Sequence, residues 1–289
     1  MSDELRMGGG FNILPPVVKN LLILNALFFL AEIAFSRFGI QLEDLLGLHY
    51  FTASDFHFWQ PFTYMFMHAD FGHLFFNMFA LWMFGASVEN YWGSKKFLIY
   101  YIITGLGAGL THYIVLGLTM HPDLVLLNNY LDAPSWENFQ QIISHHQFYL
   151  HENDPQMIAL KQSAFQVASD PTNMQALNHL TMQVADYKEF YLNAHNVIGA
   201  SGAVFGVMLA FGMLFPNSRI YLYFLIPIKA KWLVIGYGLL ELFYGVTGTG
   251  DGVAHFAHLG GMIFGILLIL LWRRQDRQGN QFDDWEYSE

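Results

Sequence analysis

The chain has no cysteine and few charged residues. The absence of cysteine excludes disulfides and thiolate metal sites. Only 12% of the 289 residues are charged, whereas soluble globular domains contain about 25%. No basic tract is present that would supply the positive charge on which nucleic-acid binding depends. The composition therefore excludes an ordinary soluble domain and offers no basis for a nucleic-acid partner.

Apolar and aromatic residues are abundant instead: 54% of the chain is apolar, with 28 Phe, 15 Tyr and 7 Trp. A helix that crosses the roughly 30 Å core of a bilayer needs about 20 apolar residues. Six stretches suit this role, at residues 17–35, 74–88, 97–118, 197–215, 232–246 and 253–272. We therefore predict an all-α polytopic membrane protein with six transmembrane helices. The short apolar segment 221–228 is expected at the membrane interface.

The positions of Lys and Arg predict how these helices are oriented. Six spans place both termini on one side, and of the 13 basic residues only Arg37, Lys161 and Lys188 fall on the other side. Basic residues concentrate on the cytoplasmic side of membrane proteins. We therefore expect both termini in the cytoplasm, no removable signal peptide within residues 1–10, and a bacterial inner membrane as the location.

The spans divide the chain into five parts. These are a cytoplasmic segment (1–16), helices one to three (17–118) with an external loop (38–67), an insertion (119–195), helices four to six (196–272) and a cytoplasmic tail (273–289). The insertion is too polar to cross the bilayer and is expected to be helical and extracytoplasmic. Asp154-Pro155 and Asp170-Pro171 each pair an N-cap acid with proline, which predicts two helix starts, and residues 136–150 are a third candidate helix. The role of the insertion and the oligomeric state stay open.

Polar groups in a membrane span are costly and are functional candidates by default, and four of them lie in or at the outer edge of the second, fourth and sixth spans. They are His73 and Asn77 in the second span, Ser201 in the fourth and His258 in the sixth. Those three spans run in the same direction, and each carries its polar residues near its outer end. With a rise of about 1.5 Å per residue, the side chains share one depth. A serine and a histidine in hydrogen-bonding contact there can perform nucleophilic catalysis.

Two glycine pairs follow the serine and the histidine. Gly202 and Gly206 follow Ser201, and Gly261 and Gly265 follow the histidine of the last span. Small residues four apart allow membrane helices to approach closely, which short side chains need in order to meet. Packing alone is the alternative explanation for each pair.

Attack by a serine on a carbonyl group creates an oxyanion, and the sequence also contains candidate donors that would stabilise it. Ser201 lies near a helix N-terminus, where backbone N–H groups lack intrahelical partners and the dipole is positive. His73 and Asn77 are four residues apart and therefore share one helix face. Their side chains are candidate donors to the same developing charge.

Several motifs in this chain resemble those of the rhomboid intramembrane serine proteases. They are Gly199-Ala200-Ser201-Gly202 (GxSG), His68-x4-His73-x3-Asn77, Ala257-His258-x2-Gly261-x3-Gly265, Trp59-Gln60 in the first loop, and Glu89 followed by Gly93-Ser94. The resemblance covers about 200 residues, and the motifs occur in the family's order. Gln60 replaces a common arginine, and Phe205 replaces a frequent tyrosine four residues after the serine. The long insertion also departs from the family.

The resemblance implies a helical rhomboid-like bundle and a dyad without a third acid, in which Ser201 is the nucleophile and His258 the general base. It implies an oxyanion hole of His73, Asn77 and the serine N–H, with Phe205 stacked under the imidazole. Substrates would be transmembrane segments of other proteins that enter sideways from the bilayer. Neither a cofactor nor a metal is implied.

Some roles stay open at this point. His255 is an alternative base, although it lacks the glycine spacing of His258. His68 is equally suited to contacting substrate and to fixing its loop. For the embedded carboxylates Glu32 and Glu241, pairing with a neighbouring helix or snorkelling to the interface is favoured over catalysis.

Three further histidines, His145, His146 and His151, lie in the insertion. No carboxylate or cysteine pattern joins them into a metal site. A solvated helix face is therefore the favoured explanation.

Three other functions compete with proteolysis. One is a rhomboid-like protein that binds membrane helices without cutting them. Another is a metal or proton transporter that uses His68, His73, His255 and His258. A zinc metalloprotease is the weakest, because no HExxH motif occurs.

Overall fold

A computed structural model describes residues 11–146, 155–222, 225–248 and 254–286, the last of these with side chains as far as residue 275. The chain divides into two compact units. The first contains the described residues within 11–48, 59–112 and 197–286, and the second contains the described residues within 49–58 and 113–196.

The described residues are mainly helical. In chain order the helices are α1 (Pro16–Ser36), α2 (Leu42–Leu46), α3 (Gln60–Thr63) with a following 3₁₀ turn (Tyr64–Phe66), α4 (Phe71–Trp92), α5 (Ser94–Asp132), α6 (Trp136–His145), α7 (Pro155–Ser169), α8 (Met174–Asn193), α9 (Ser201–Leu214), α10 (Ala230–Thr247) and α11 (His255–Glu286). A small antiparallel hairpin, β1 (Arg219–Leu222) with β2 (Ile226–Lys229), separates α9 from α10. It occupies most of the segment expected at the interface.

Within the described part of the chain, four helices are long and apolar enough to cross a membrane: α1, α4, α5 and the part of α11 from His255 to Gln275. Helix α9 is apolar but shorter, with 14 residues, and α10 has 18. The prediction of an all-α polytopic membrane protein is confirmed. The number of six spans stays a prediction.

Most helix boundaries differ from the expected spans by a few residues, and α11 continues beyond residue 272 to Glu286; two other differences have a visible cause or consequence. Helix α9 starts at Ser201 and not near residue 197, because Val197 forms an isolated antiparallel bridge with Leu48. Helix α5 continues beyond the expected end at residue 118, through Pro122 to Asp132. Proline removes one backbone hydrogen bond inside a helix, but α5 does not end there.

Helix α9 is the centre of the first unit and packs against α4, α10 and α11. Its contact with α11 is made by backbone: a Cβ atom on Gly261 would lie 1.9 Å from the carbonyl oxygen of Gly202. The second glycine of each pair packs elsewhere. Added Cβ atoms at Gly206 and Gly265 would collide with Thr104 and with the Tyr100 hydroxyl of α5. The glycine pairs therefore fit α9 and α11 against each other and also against α5.

A buried carboxylate of α4 caps α1. Glu89 is 2% exposed, and its Oε1 accepts hydrogen bonds from the Val17 N–H (2.9 Å) and the Ser94 hydroxyl (2.6 Å). Its Oε2 accepts from the Val18 N–H at 2.8 Å. Helix α1 has no capping side chain of its own, because proline occupies its N-cap. Glu89 therefore supplies the acceptors, and the negative charge, that a helix N-terminus favours.

The segment that leads into α4 is also buried. Tyr64, Met65 and Met67 are at most 2% exposed, and so is His68. Burial, reinforced by the nearby His73, lowers the pKa of His68 to about 4. His68 is therefore neutral near pH 7.

The second unit has its own apolar core and a buried polar group within it. The core includes Leu127, Tyr130, Phe139, Ile142, Leu180, Val184, Tyr187 and Tyr191. His146 is 6% exposed; its Nδ1 lies 2.9 Å from Asp123 and its Nε2 lies 2.6 Å from the Tyr187 hydroxyl. A solvated face is thus wrong for His146, whereas His145 is exposed. His151 lies outside the described residues.

The predicted helix starts in this unit had mixed outcomes. Helix α7 begins at Pro155 as expected, although Asp154 lies outside the described residues. The start at Asp170 is wrong, because Asp170 accepts hydrogen bonds from the Thr172 N–H and hydroxyl in a turn. Asn173 caps α8 instead, by accepting from the Ala176 N–H. The helix expected over residues 136–150 ends at residue 145, and residues 147–150 lie outside the described part.

The second unit contains a contact between a serine and a histidine. The Ser163 hydroxyl of α7 lies 2.7 Å from Nδ1 of His179 on α8. Ser163 is in the interior of its helix and is buried.

We expect Glu89→Gln to lower the free energy of unfolding by about 2 kcal/mol, because hydrogen bonds to a charged group are lost at a buried site. Thermal unfolding in detergent micelles measures this change. Glu189→Gln, at an exposed carboxylate of α8, is the control and should shift stability by less than about 0.5 kcal/mol. Equal unfolding midpoints for the two variants would show that α1 does not depend on Glu89.

We also expect His68 to make the fold sensitive to acid. Its pKa falls from 6.5 to about 4 on folding, so the unfolded chain binds a proton at a higher pH than the native chain. Stability from this group is complete above pH 6.5 and is lost as the pH falls towards 4. Unfolding midpoints between pH 7.5 and 4 should fall less for His68→Asn than for the wild type. If the unfolding midpoints of the two proteins fell in parallel with pH, the acid sensitivity would not come from His68.

Candidate active site

Ser201 is the first residue of α9. A turn places it there: Gly199 has a φ of +129°, a backbone conformation that side chains rarely permit, and its N–H donates to the Tyr64 carbonyl at 2.9 Å. The N-cap residue, Ala200, makes no side-chain capping bond. Backbone N–H groups in the first turn of a helix have no intrahelical acceptor. Ser201 therefore combines a hydroxyl with the positive end of a helix dipole.

His258 of α11 meets this serine. Its Nε2 lies 2.8 Å from the Ser201 hydroxyl oxygen, and it is 8% exposed. The imidazole stacks on the ring of Phe205, one helical turn after Ser201, with centroids 4.3 Å apart and planes 5° apart. Nε2 can accept the hydroxyl proton only if it carries none, which puts the ring proton of a neutral histidine on Nδ1.

A carboxylate lies on the other side of this imidazole. Glu241 of α10 places Oε2 2.9 Å from Nδ1 of His258 and 2.7 Å from Nδ1 of His255. The family resemblance implied a serine–histidine pair without a third acid. The geometry differs, because an acid does lie beside His258. The expected pairing of Glu241 with a neighbouring helix is found, and its partners are both histidines of α11. His258 is the one whose ring also reaches Ser201.

His73 borders the serine from α4. Asp70 caps this helix by accepting from the His73 N–H at 2.8 Å. A Cβ atom on Gly199 would lie 2.9 Å from Nε2 of His73 and 3.5 Å from the Ser201 hydroxyl oxygen. The side chain that Gly199 lacks thus leaves room between the imidazole and the hydroxyl.

Asn77 and His68 lie farther along the same element and in the preceding segment. Asn77 is 7% exposed and donates one N–H to the His73 carbonyl at 3.0 Å. The ring of His68 lies edge-on to that of His73, with centroids 5.0 Å apart. His68 therefore contacts a proposed donor of the oxyanion hole, whereas Asn77 is bonded to its own helix.

Glu32 interacts with a different part of the chain. Its carboxylate interacts with the backbone of Leu42 and Glu43, where α2 begins. Sequence reasoning identified the serine and histidine but missed the carboxylate behind the histidine. The available signal was a lone acid in an apolar helix, which does not reveal the direction in which it points.

The chain is similar to known proteins along most of its length. A sequence model of the Rhomboid domain matches residues 55–126 and 169–275, more than half of the chain. RHOMBOID-like protein 12, mitochondrial, of Arabidopsis thaliana is 26% identical over 248 residues, 85% of this chain and 55% of that protein. Rhomboid-like protein 11, chloroplastic, of the same plant is 35% identical over 97 residues, 33% of this chain and 32% of that protein.

The chain spans about half of the first relative and a third of the second. Both relatives are named for organelles, so the comparisons do not support the expected bacterial inner membrane. The apolar helices do support an integral membrane protein. Together with the domain match, these observations show that the chain belongs to the rhomboid family.

Proposed function

We propose that the chain is an intramembrane serine endopeptidase, which hydrolyses peptide bonds in or near transmembrane segments of other membrane proteins. The observation that carries the proposal is the 2.8 Å contact between the Ser201 hydroxyl and Nε2 of His258. This contact joins two apolar helices, where an unneeded polar pair would be costly. Membership of the rhomboid family suggests the same activity.

In the proposed reaction, Nε2 of His258 accepts the Ser201 proton while the oxygen attacks the substrate carbonyl carbon. The resulting imidazolium then donates this proton to the leaving amine, and the peptide bond breaks to give an acyl ester on Ser201. Water, deprotonated by the same nitrogen, hydrolyses the ester and regenerates the serine. Phe205 supports both steps by fixing the plane of the imidazole.

The oxyanion that forms during the attack needs donors. The Ser201 N–H, at the N-terminus of α9, supplies one together with the helix dipole. His73 adds another, because its Nε2 lies beside the space at Gly199 that also borders the hydroxyl. Asn77 uses one N–H of its amide within α4, and we assign the second one to the same charge.

Substrates of this site would be helical segments that reach it from the bilayer. A peptide bond within a membrane helix is protected by its own hydrogen bonds, so it must unwind before Ser201 can attack. Residues that weaken a helix near the cut should therefore favour cleavage. With both termini in the cytoplasm, Ser201, at the start of α9, would lie towards the outer side.

A metal-binding function is the second candidate, because ligand atoms of Glu241, His255 and His258 lie within 4.8 Å of one another. The separations of 2.7 and 2.9 Å from Oε2 to the two Nδ1 atoms are those of hydrogen bonds. Ligands of a tetrahedral zinc ion would be about 3.3 Å apart. The arrangement therefore favours a hydrogen-bonded group over a metal centre.

We expect a fluorophosphonate probe to label the wild-type protein in membranes at Ser201. Ser201→Ala should abolish labelling, because the nucleophile is gone. His258→Ala should slow labelling by about 10²- to 10⁴-fold, the usual contribution of a general base. Mass spectrometry and in-gel fluorescence measure both.

Ser163→Ala is the matched control for this experiment, since Ser163 also contacts a histidine. It should label at the wild-type rate. Labelling that survives in Ser201→Ala would end the serine-protease proposal.

We further expect chelators to leave probe labelling unchanged, because no step of the proposed reaction needs a metal. EDTA and 1,10-phenanthroline in excess are compared with a mock treatment. Loss of labelling with the chelators, restored by zinc, would favour the metal-binding function instead.

A further inference from the structure

Each nitrogen of the His258 ring has a partner of its own. Nε2 faces Ser201 and Nδ1 faces the carboxylate of Glu241, at 2.8 and 2.9 Å. The three side chains come from α9, α10 and α11. The order hydroxyl, imidazole, carboxylate is the one in which a carboxylate orients a catalytic base.

Glu241 is embedded in an apolar stretch of α10. Leu239, Leu240, Leu242 and Phe243 are exposed on α10, as a lipid-facing surface requires, whereas Glu241 is 9% exposed. A carboxylate in such a helix is costly unless it is paired. Its Oε2 is paired twice, with Nδ1 of His258 and with Nδ1 of His255.

Stacking alone does not prepare His258 for its role. The parallel ring of Phe205 fixes the plane of the imidazole, but a stacked ring can carry its proton on either nitrogen. An acceptor beside one nitrogen decides the tautomer. Glu241 is such an acceptor at Nδ1, and it leaves the lone pair of Nε2 for the Ser201 proton.

We propose that Glu241 is a positioning residue for the reaction, with His255 as the second donor that holds its carboxylate in place. The inference rests on the proposed function. Glu241 keeps the proton of neutral His258 on Nδ1 and balances the positive charge when Nε2 takes the Ser201 proton. The carboxylate itself neither gains nor loses a proton.

The test compares the kinetics of fluorophosphonate labelling in the full-length protein in membranes. Glu241→Gln should lower the maximal labelling rate by about 10- to 100-fold, the effect of losing a charge-assisted hydrogen bond. The probe concentration at half-maximal rate should stay unchanged, because Glu241 does not touch the probe. Glu32→Gln, at the embedded carboxylate of α1, is the matched control and should label at the wild-type rate.

A double variant separates positioning from a merely structural role. If Glu241 acts through His258, Glu241→Gln should cause no further loss in the His258→Ala background. An additional loss there, or a wild-type rate in Glu241→Gln alone, would overturn the inference. If Glu241→Gln does not fold, Glu241→Met, whose side chain suits a lipid-facing helix, enters the same comparisons with the same expectations.

The outcomes also distinguish this inference from the proposed function. Labelling at Ser201 that Glu241→Gln leaves unchanged would refute the role of Glu241 and retain the protease. Wild-type protein that does not label at all would refute both.

Discussion

The contact of α9 with α11 at Gly202 and Gly261 is the constraint on which the site depends. A single methyl group on Gly261 would lie 1.9 Å from the Gly202 carbonyl oxygen, so any larger residue would force the helices apart. Serine and histidine side chains are short, and their 2.8 Å contact requires backbones that nearly touch. The close packing of α9 against α11 is therefore also what allows the proposed catalytic pair to form.

Two buried carboxylates show how the fold accommodates charge among apolar helices. Glu89 accepts hydrogen bonds from backbone N–H groups at the start of α1 and from a serine hydroxyl. Glu241 accepts instead from two imidazoles of α11. Backbone donors cannot change protonation, and an arrangement built on them is structural. Imidazoles can change protonation, so the same kind of carboxylate is suited to the positioning role proposed for Glu241.

Much of this arrangement was predictable from the sequence, because it follows from periodicity and motif. Apolar stretches indicated the helices, and the residues next to the glycine pairs included Ser201 and His258. The contact of the Glu241 carboxylate with His258 was not predictable in this way. An apolar helix with one acid does not reveal how it is rotated, and only the packing of α10 against α11 turns Glu241 towards the histidines. The prediction that Asp170 caps a helix was wrong because its side chain accepts a hydrogen bond within its own turn. The sequence does not show which of these two local hydrogen-bonding patterns an aspartate adopts.

The pair of Ser163 and His179 gives the site a comparison within the same chain. Its oxygen and nitrogen are 2.7 Å apart, closer than those of Ser201 and His258. Yet Ser163 lies inside α7, where backbone N–H groups are already bonded along the helix. The distance between a hydroxyl and an imidazole therefore has to be considered together with the position of the serine in its helix. What sets Ser201 apart is a helix that starts at the proposed nucleophile itself, so that its hydroxyl and the first backbone N–H of the helix belong to one residue.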